Sequence, residues 1–251
     1  MESSNRQEVI LRGVREQGRV TVDDLARELA CSTMTIRRDL DRLAGLGLLR
    51  RVHGGAVSGA TAEETPYPVR SSTAVEAKQR IGEAAAKLIS DGETVLIDGG
   101  TTALEVARRL RDRRLTVIPL GLHAATELRD TAGIRLIVPG GDVRPVEHAF
   151  VGPLTVYALG LLRFDTAVIG CCGIDATDGL TGHDLDESAV KTAAIAAARR
   201  TIVVADAAKW GAGAFTRFED LSRVTTVITD DGAPTEQTDA LAGRGIEVQR
   251  V

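Results

Sequence analysis

The sequence predicts an α/β protein in two parts: a small helical unit with a basic strand pair, then a larger doubly wound α/β unit. Three observations carry this. In the second part, short apolar runs recur between amphipathic helical patterns, as in a parallel sheet covered on both faces. The first part shows helical periods followed by one Arg-rich pair of short runs around glycines. Between them, residues 58–73 are rich in Ser, Thr, Ala and Pro without a period and read as a linker. The expected boundaries are therefore 1–57, 58–73 and 74–251.

In the first part, Val9 or Ile10 and then Val14 fall on one side of a helix that Gly18 stops. Val22, Leu25, Ala26 and Leu29 mark a second helix, with Thr21 as its cap. Cys31-Ser32 is a tight turn, and Ser32 can cap a third helix running to about Ala44. There Ile36, Leu40 and Leu43 share one face. The opposite side carries Met34, Arg37, Arg38 and Asp41, flanked by Thr35 and Arg42. One apolar face and one Arg/Thr face suit a recognition helix in the major groove of double-stranded DNA. Leu48 and Leu49 return to the core, Arg50 and Arg51 are basic, and Gly54-Gly55 can turn the chain back as a wing. The alternative is a solvated Arg-rich hairpin with no ligand.

In the second part, strands are expected in the runs at 95–98, 115–120, 134–141, 166–173, 201–206 and 224–230. Asp98-Gly99-Gly100-Thr101-Thr102 joins the first run to a helix, a turn type that presents N–H groups and hydroxyls to a phosphate or carboxylate. It matches neither the dinucleotide fingerprint nor the Walker loop. Other turns that could line the same crevice are Pro139-Gly140-Gly141-Asp142 with Arg144 beyond, Cys172–Asp175 leading into Asp178–Thr181, and Asp206–Gly211 with Lys209. Glu187 and Lys191 add an i, i+4 pair, which alone could be a surface ion pair. The carboxyl ends of strands gather at the ligand crevice of open α/β sheets. Thr, Asp, Glu and Lys converging there suit a polyhydroxylated anion.

Composition narrows the classes. With 3% aromatic residues the core must be built from Leu, Val, Ile and Ala. No apolar stretch approaches the ~20 residues that span a bilayer, and the N-terminus is too polar for a secretory signal, so a cytoplasmic protein with no membrane partner is expected. Cys31, Cys171 and Cys172 have neither an even count nor metal-ligand spacing; no disulfide, metal or cofactor is expected, and Cys171 and Cys172 read as small buried thiols. The net charge of −4 is uneven. Residues 1–59 hold ten Arg against eight acids, whereas the rest holds 21 basic against 27 acidic residues. Local charge governs contact with phosphates.

The stretch from Thr33 through Met34, Thr35, Ile36, Arg37, Arg38, Asp39, Leu40, Asp41 and Arg42 to Leu43, then Gly47 and Arg51-Val52-His53-Gly54-Gly55-Ala56, resembles the DeoR-family DNA-binding signature. That resemblance implies DNA contacts from Ser32, Thr33, Thr35, Arg37 and Arg38, with Arg42 beside them, and from Arg51 and His53 on the wing. Each Arg could meet phosphate or guanine; His53 could instead pack the wing. Residues 76–230 resemble the same family's sensor domain, which implies a ribose-5-phosphate-isomerase-like fold. By that resemblance Gly99, Gly100, Thr101 and Thr102 form a phosphate loop, and Asp175, Glu187 and Lys209 face a sugar. Lys78 matches a family lysine, though a solvated helix charge is the simpler expectation. Two departures stand out: Pro119-Leu120-Gly121 replaces a Thr-Asn pair, and Asp206-Ala207-Ala208-Lys209 lacks a serine. Both remove polar groups from the expected crevice.

The resulting expectation is a repressor of carbohydrate catabolism, released from operator DNA by a phosphorylated sugar or related metabolite. It would be a homo-oligomer, since paired half-sites require at least a dimer, and not an enzyme. The alternatives are a sugar-phosphate isomerase-like activity using Asp175, Glu187 and Lys209, and a DNA-binding protein whose second domain only oligomerises.

Overall fold

The computed structural model describes residues 3–45, 49–52, 54–58 and 64–251. The first unit is built from α1 (Ser3–Gln17), β1 (Arg19–Thr21), α2 (Val22–Glu28), α3 (Thr33–Gly45), β2 (Leu49–Val52) and β3 (Gly55–Ser58). Each helix boundary has a local cause. Gly18 ends α1 at φ +73, a conformation glycine adopts without a Cβ penalty. Thr21 Oγ1 accepts from the Asp24 amide at 3.1 Å, and Ser32 Oγ accepts from the Thr35 amide at 3.2 Å, so both expected caps are present.

The wing carries a third strand that the hydrophobic pattern does not announce: β1 pairs antiparallel with β3, which pairs with β2. Gly55 sits where the strands close up, and a Cβ there would lie 2.0 Å from the Val20 carbonyl oxygen. Ile10, Val14, Val20, Val22, Leu25, Ile36, Leu40, Leu43, Leu49 and Ala56 form one apolar cluster. The expected helical faces are those it buries. Gly47, Leu48 and His53 lie outside the described residues.

Part of the expected linker is structured. Within 58–73, Tyr67–Ser72 form α4, and Tyr67 is buried. Pro66 precedes the first turn of α4 and Pro68 sits inside it, positions where a missing N–H costs nothing.

The second unit continues with α5 (Val75–Lys87), β4 (Thr94–Ile97), α6 (Thr101–Arg109), β5 (Leu115–Pro119), α7 (Leu122–Leu128), β6 (Ile134–Leu136), β7 (Asp142–Arg144), β8 (Ala149–Val151) and α8 (Pro153–Gly160). Then follow β9 (Phe164–Ile169), β10 (Gly173–Asp175), β11 (Gly179–Gly182), α9 (Leu185–Ala197), β12 (Ala198–Val204), a single 3-10 turn at Ala207–Lys209, β13 (Thr216–Glu219), β14 (Thr226–Thr229), α10 (Thr235–Ala242) and β15 (Glu247–Arg250). All six expected runs are strands of one parallel sheet, ordered β15-β14-β12-β9-β4-β5-β6. The seventh strand, β15, was not expected.

Successive residues along each central strand feed opposite cores, as the two-residue repeat of a strand requires. Leu96, Ile118, Ala167, Val203 and Val227 pack on one face with α8, α9 and α10. Val95, Ile97, Val117, Val168, Ile202, Val204 and Ile228 pack on the other with α5, α6 and α7. The sheet is doubly wound. The chain proceeds from β4 outward through β5 and β6, then restarts at β9 on the opposite side of β4. The order in which strands are added therefore reverses between the parallel neighbours β4 and β9, the place where open α/β sheets leave a crevice at their carboxyl edge. Among the described residues, no helix is long and apolar enough to cross a membrane.

Candidate functional site

Two surfaces gather the residues singled out in the sequence. The first is α3. Burial of Ile36, Leu40 and Leu43 forces the other side of the helix outward, leaving Ser32, Thr33, Arg37, Arg38 and Arg42 exposed. Met34 is exposed among them. Thr35 is half-buried, and its hydroxyl lies 2.9 Å from that of Ser32, so these two serve the helix start first. Asp39 is buried instead and takes the Arg6 guanidinium. Arg51 is partly committed: Nε donates to Asp41 at 2.8 Å and a terminal nitrogen donates to the Gly55 carbonyl at 2.6 Å. It braces the wing against α3. His53 lies outside the described residues.

The second surface is the reversal point between β4 and β9. The Asp98 amide donates to Val168, and the Asp98 carboxylate accepts from the Gly99 and Gly170 amides, each at 2.8 Å. Lys191 Nζ reaches the same carboxylate at 2.8 Å, Glu187 at 3.0 Å and the Gly170 carbonyl at 3.0 Å. Lys191 and Asp98 are both buried. Burial alone disfavours the ammonium, but Asp98 and Glu187 override it and hold the Lys191 pKa well above its ordinary value. The Glu187–Lys191 pair is thus part of the crevice and not a surface ion pair.

Behind this pair runs the Gly99–Thr102 turn. Thr101 and Thr102 are buried at the start of α6, whereas a Cβ on Gly100 would meet only open space. The turn is backed tightly. A Cβ on Gly121 would lie 2.8 Å from the Gly99 Cα, and one on Gly99 would lie 3.0 Å from the Ala149 Cβ. Gly121 therefore answers to a backbone approach. Leu120, buried beside it, pairs its amide with Ile97 and its carbonyl with Phe150.

Arg144 is also in the crevice, and it is surrounded by carboxylates. Its hydrogen bonds to the Glu64 carboxylate raise its pKa, and Glu187 and Asp184 add to that. Glu64 takes both terminal nitrogens, Glu187 lies at 3.2 Å and Asp184 at 3.4 Å. Nearby, buried Glu147 pairs with Arg70, and its second oxygen has no hydrogen-bond partner among the described residues. Burial pushes the Glu147 carboxyl up to about 7, against the pull of Arg70. Oxygens of Glu64, Glu147 and Glu187 lie within 4.8 Å of one another. With Arg70, Arg144 and Lys191 on these carboxylates, the cluster has cations of its own.

Other predicted residues fall elsewhere. Asp175 caps its own hairpin, one carboxylate oxygen accepting from the Thr177 and Asp178 amides at 2.7 and 3.2 Å, so that oxygen serves the β10–β11 turn. Gly141, at φ +110, passes so close to Thr155 that a Cβ would lie 2.0 Å from Oγ1; its role is steric. Asp206 is buried and caps the 3-10 turn through the Ala208 amide at 3.1 Å, leaving Lys209 half-buried beside it. Cys171 is buried, which pushes its thiol up to about 12, and Cys172 is half-buried and raised for the same reason. All three cysteines are free.

One expectation is overturned. Lys78 is not a solvated helix charge: it is buried, and its ammonium donates to the Arg70 and Thr73 carbonyls, the latter at 2.7 Å. Burial lowers its pKa. It clamps the end of α4 to α5. Sequence reasoning also missed Glu64, Arg70 and Glu147. None has a local motif; only the fold brings them together.

Comparison with known proteins agrees in both halves. Residues 6–62 match the DeoR-like helix-turn-helix domain, and residues 73–231 match the DeoR C terminal sensor domain. The glycerol-3-phosphate regulon repressor of Escherichia coli (strain K12) is 32% identical over 250 residues, covering 99% of each chain. The protein of that name from Haemophilus influenzae is 36% identical over 232 residues, covering 92% of this chain and 91% of its own. Among solved structures, a ribose 5-phosphate isomerase A from Methanocaldococcus jannaschii overlaps 53% of each chain at a TM-score of 0.40 and 18% identity, a level from which nothing about activity follows.

Proposed function

The chain belongs to the DeoR family of transcriptional regulators, and on that premise we propose that it represses a carbohydrate-catabolism operon until a phosphorylated sugar or related metabolite releases it from DNA. The observation that carries the reading is the division of α3: Arg37, Arg38 and Arg42 are exposed, while Ile36, Leu40 and Leu43 are buried. A helix held by one face offers the other to a groove lined with phosphates. In this reading residues 1–57 hold the operator and residues 74–251 hold the metabolite.

The metabolite half of the reading rests on the carboxyl edge of the sheet. There the Gly99–Thr102 turn, Lys191 and Arg144 supply N–H, hydroxyl and cationic groups suited to an anion. Of Asp175, Glu187 and Lys209, the groups an isomerase-like activity would use, Glu187 is held in ion pairs with Arg144 and Lys191, and one oxygen of Asp175 caps a turn. The chain is therefore read as a regulator without catalysis. Self-association is part of the reading, since half-sites are read in pairs; α8 leaves Leu154, Tyr157 and Leu161 about 70% exposed along one side.

The test is retardation of double-stranded DNA from upstream of the protein's own operon, at low salt, against a panel of sugar phosphates. Retention that one sugar phosphate reverses is the expected result. A full-length protein that ignores every duplex, with or without metabolite, ends the proposal.

A further inference from the structure

Glu64 lies between the two modules, outside any helix or strand, yet its side chain is almost buried against Arg144. The contact is bidentate: one carboxylate oxygen takes one terminal guanidinium nitrogen at 3.1 Å and the second takes the other. That fork is the geometry with which Arg binds carboxylate and phosphate groups alike. Glu64 thus fills the place that an anionic group of a ligand would take.

The contact continues inward. Arg144 meets Glu187 at 3.2 Å, Glu187 meets Lys191 at 3.0 Å, Lys191 meets Asp98 at 2.8 Å, and Asp98 accepts from the Gly99 amide at 2.8 Å. An unbroken run of charged contacts joins the segment before α4 to the Gly99–Thr102 turn. It also continues backward. The carbonyl of Thr65 accepts from Arg70 Nε at 2.8 Å, and Arg70 pairs with buried Glu147.

Three carboxylates share the one Arg144 guanidinium, those of Glu64, Glu187 and Asp184. Glu187 and Asp184 are fixed by α9, where Asp184 caps the Glu187 amide at 2.9 Å. Glu64 alone comes from irregular chain, so it alone can leave without unwinding an element. We propose that Glu64 is an internal anion that occupies Arg144 in the effector-free protein, and that the phosphate group of the effector binds by displacing it. Displacement detaches residues 64–66 from the sensor and loosens the Thr65–Arg70 contact at the start of α4, the point through which the sensor is joined to the DNA-binding module. The inference rests on the reading of the crevice as a phosphate sensor, and it supplies the two states that a ligand must discriminate.

The experiment measures the affinity of full-length protein for inorganic phosphate by calorimetry, in the wild type and in Glu64→Gln, with Glu64→Ala as a second variant. Apparent affinity scales with the fraction of molecules in which the site is free, so both variants are expected to bind phosphate at least about tenfold more tightly than wild type. Phosphate should also speed amide exchange at residues 64–72 in the wild type, where the variants exchange fast without it. Equal affinity in all three proteins, including no binding by any, overturns the inference, as does slower exchange at 64–72 on binding. A protein that a sugar phosphate strips from DNA, but whose Glu64→Gln variant binds phosphate like wild type, loses this inference and keeps its proposed function.

Discussion

Lys191 and Asp98 meet at 2.8 Å across the seam between β4 and β9, both buried. Each would be costly alone, since a charge deprived of water and partner is destabilising by several kcal/mol. Replacing Lys191 by Met leaves Asp98 with only two backbone donors. The expected loss is roughly 3 kcal/mol of unfolding free energy, read by urea denaturation. A variant as stable as wild type would mean the pair is not what holds the seam.

Arg38→Ala should weaken operator binding and leave the sensor untouched. If the side chain meets a phosphate, the slope of log affinity against log salt falls by about 0.9. If it meets guanine, binding weakens by about 1–3 kcal/mol at that base pair and specificity relaxes there. Both are read from fluorescence anisotropy over a salt series, and unchanged affinity would place the contact face elsewhere.

Gly121→Ala should damage the crevice from behind. The added methyl meets the Gly99 Cα at 2.8 Å, which only a backbone shift can relieve. Overpacking of this kind costs about 1–3 kcal/mol. Thermal stabilisation by the effector is expected to vanish in this variant while its DNA affinity persists, a separation checked by running both assays on one preparation.

Glu147 carries a pH signature. Burial raises its pKa from the ordinary 4.5 to about 7, so the folded protein binds this proton more tightly than the unfolded chain. Stability from this group therefore grows as pH falls from about 7 toward 4.5 and is lost as pH rises through 7. Glu64, Asp39 and Glu93, with lowered pKa values, act oppositely in more acid solution. Comparison with Glu147→Gln isolates the effect: the wild type should gain on that variant by a few kcal/mol between pH 8 and pH 5. A constant difference across that range would refute the assignment.

The sequence made some of this plain and hid the rest for physical reasons. Ile36, Leu40 and Leu43 repeat at helical spacing, and the strands of the parallel sheet are continuous apolar runs because both faces are buried, so these elements declared themselves. β15 did not, because Glu247 and Arg250 on an edge strand break the apolar run. Asp98, Glu187 and Lys191 were found at the crevice by their position after strands or on a helix face. Glu64 and Glu147 were not: nothing near either residue in the chain marks it, and their partners Arg144 and Arg70 stand 80 and 77 positions away. Lys78 misled because a lysine on an amphipathic helix is ordinarily solvated, and only the bend between α4 and α5 presents two carbonyls to bury it.

The apolar cluster beneath α3 contains, among the described residues, nothing beyond Ala56. The reading head thus has an interior of its own, to which the seven-stranded sheet lends no side chain. Exchange of the exposed arginines of α3 therefore disturbs none of the apolar cores, whereas grafting a whole head from another regulator would also touch the sensor surface where Val52 comes near Gly211. If Glu64 is the internal anion proposed above, such a chimera keeps its switch only when Glu64 stays with the sensor whose Arg144 it contacts.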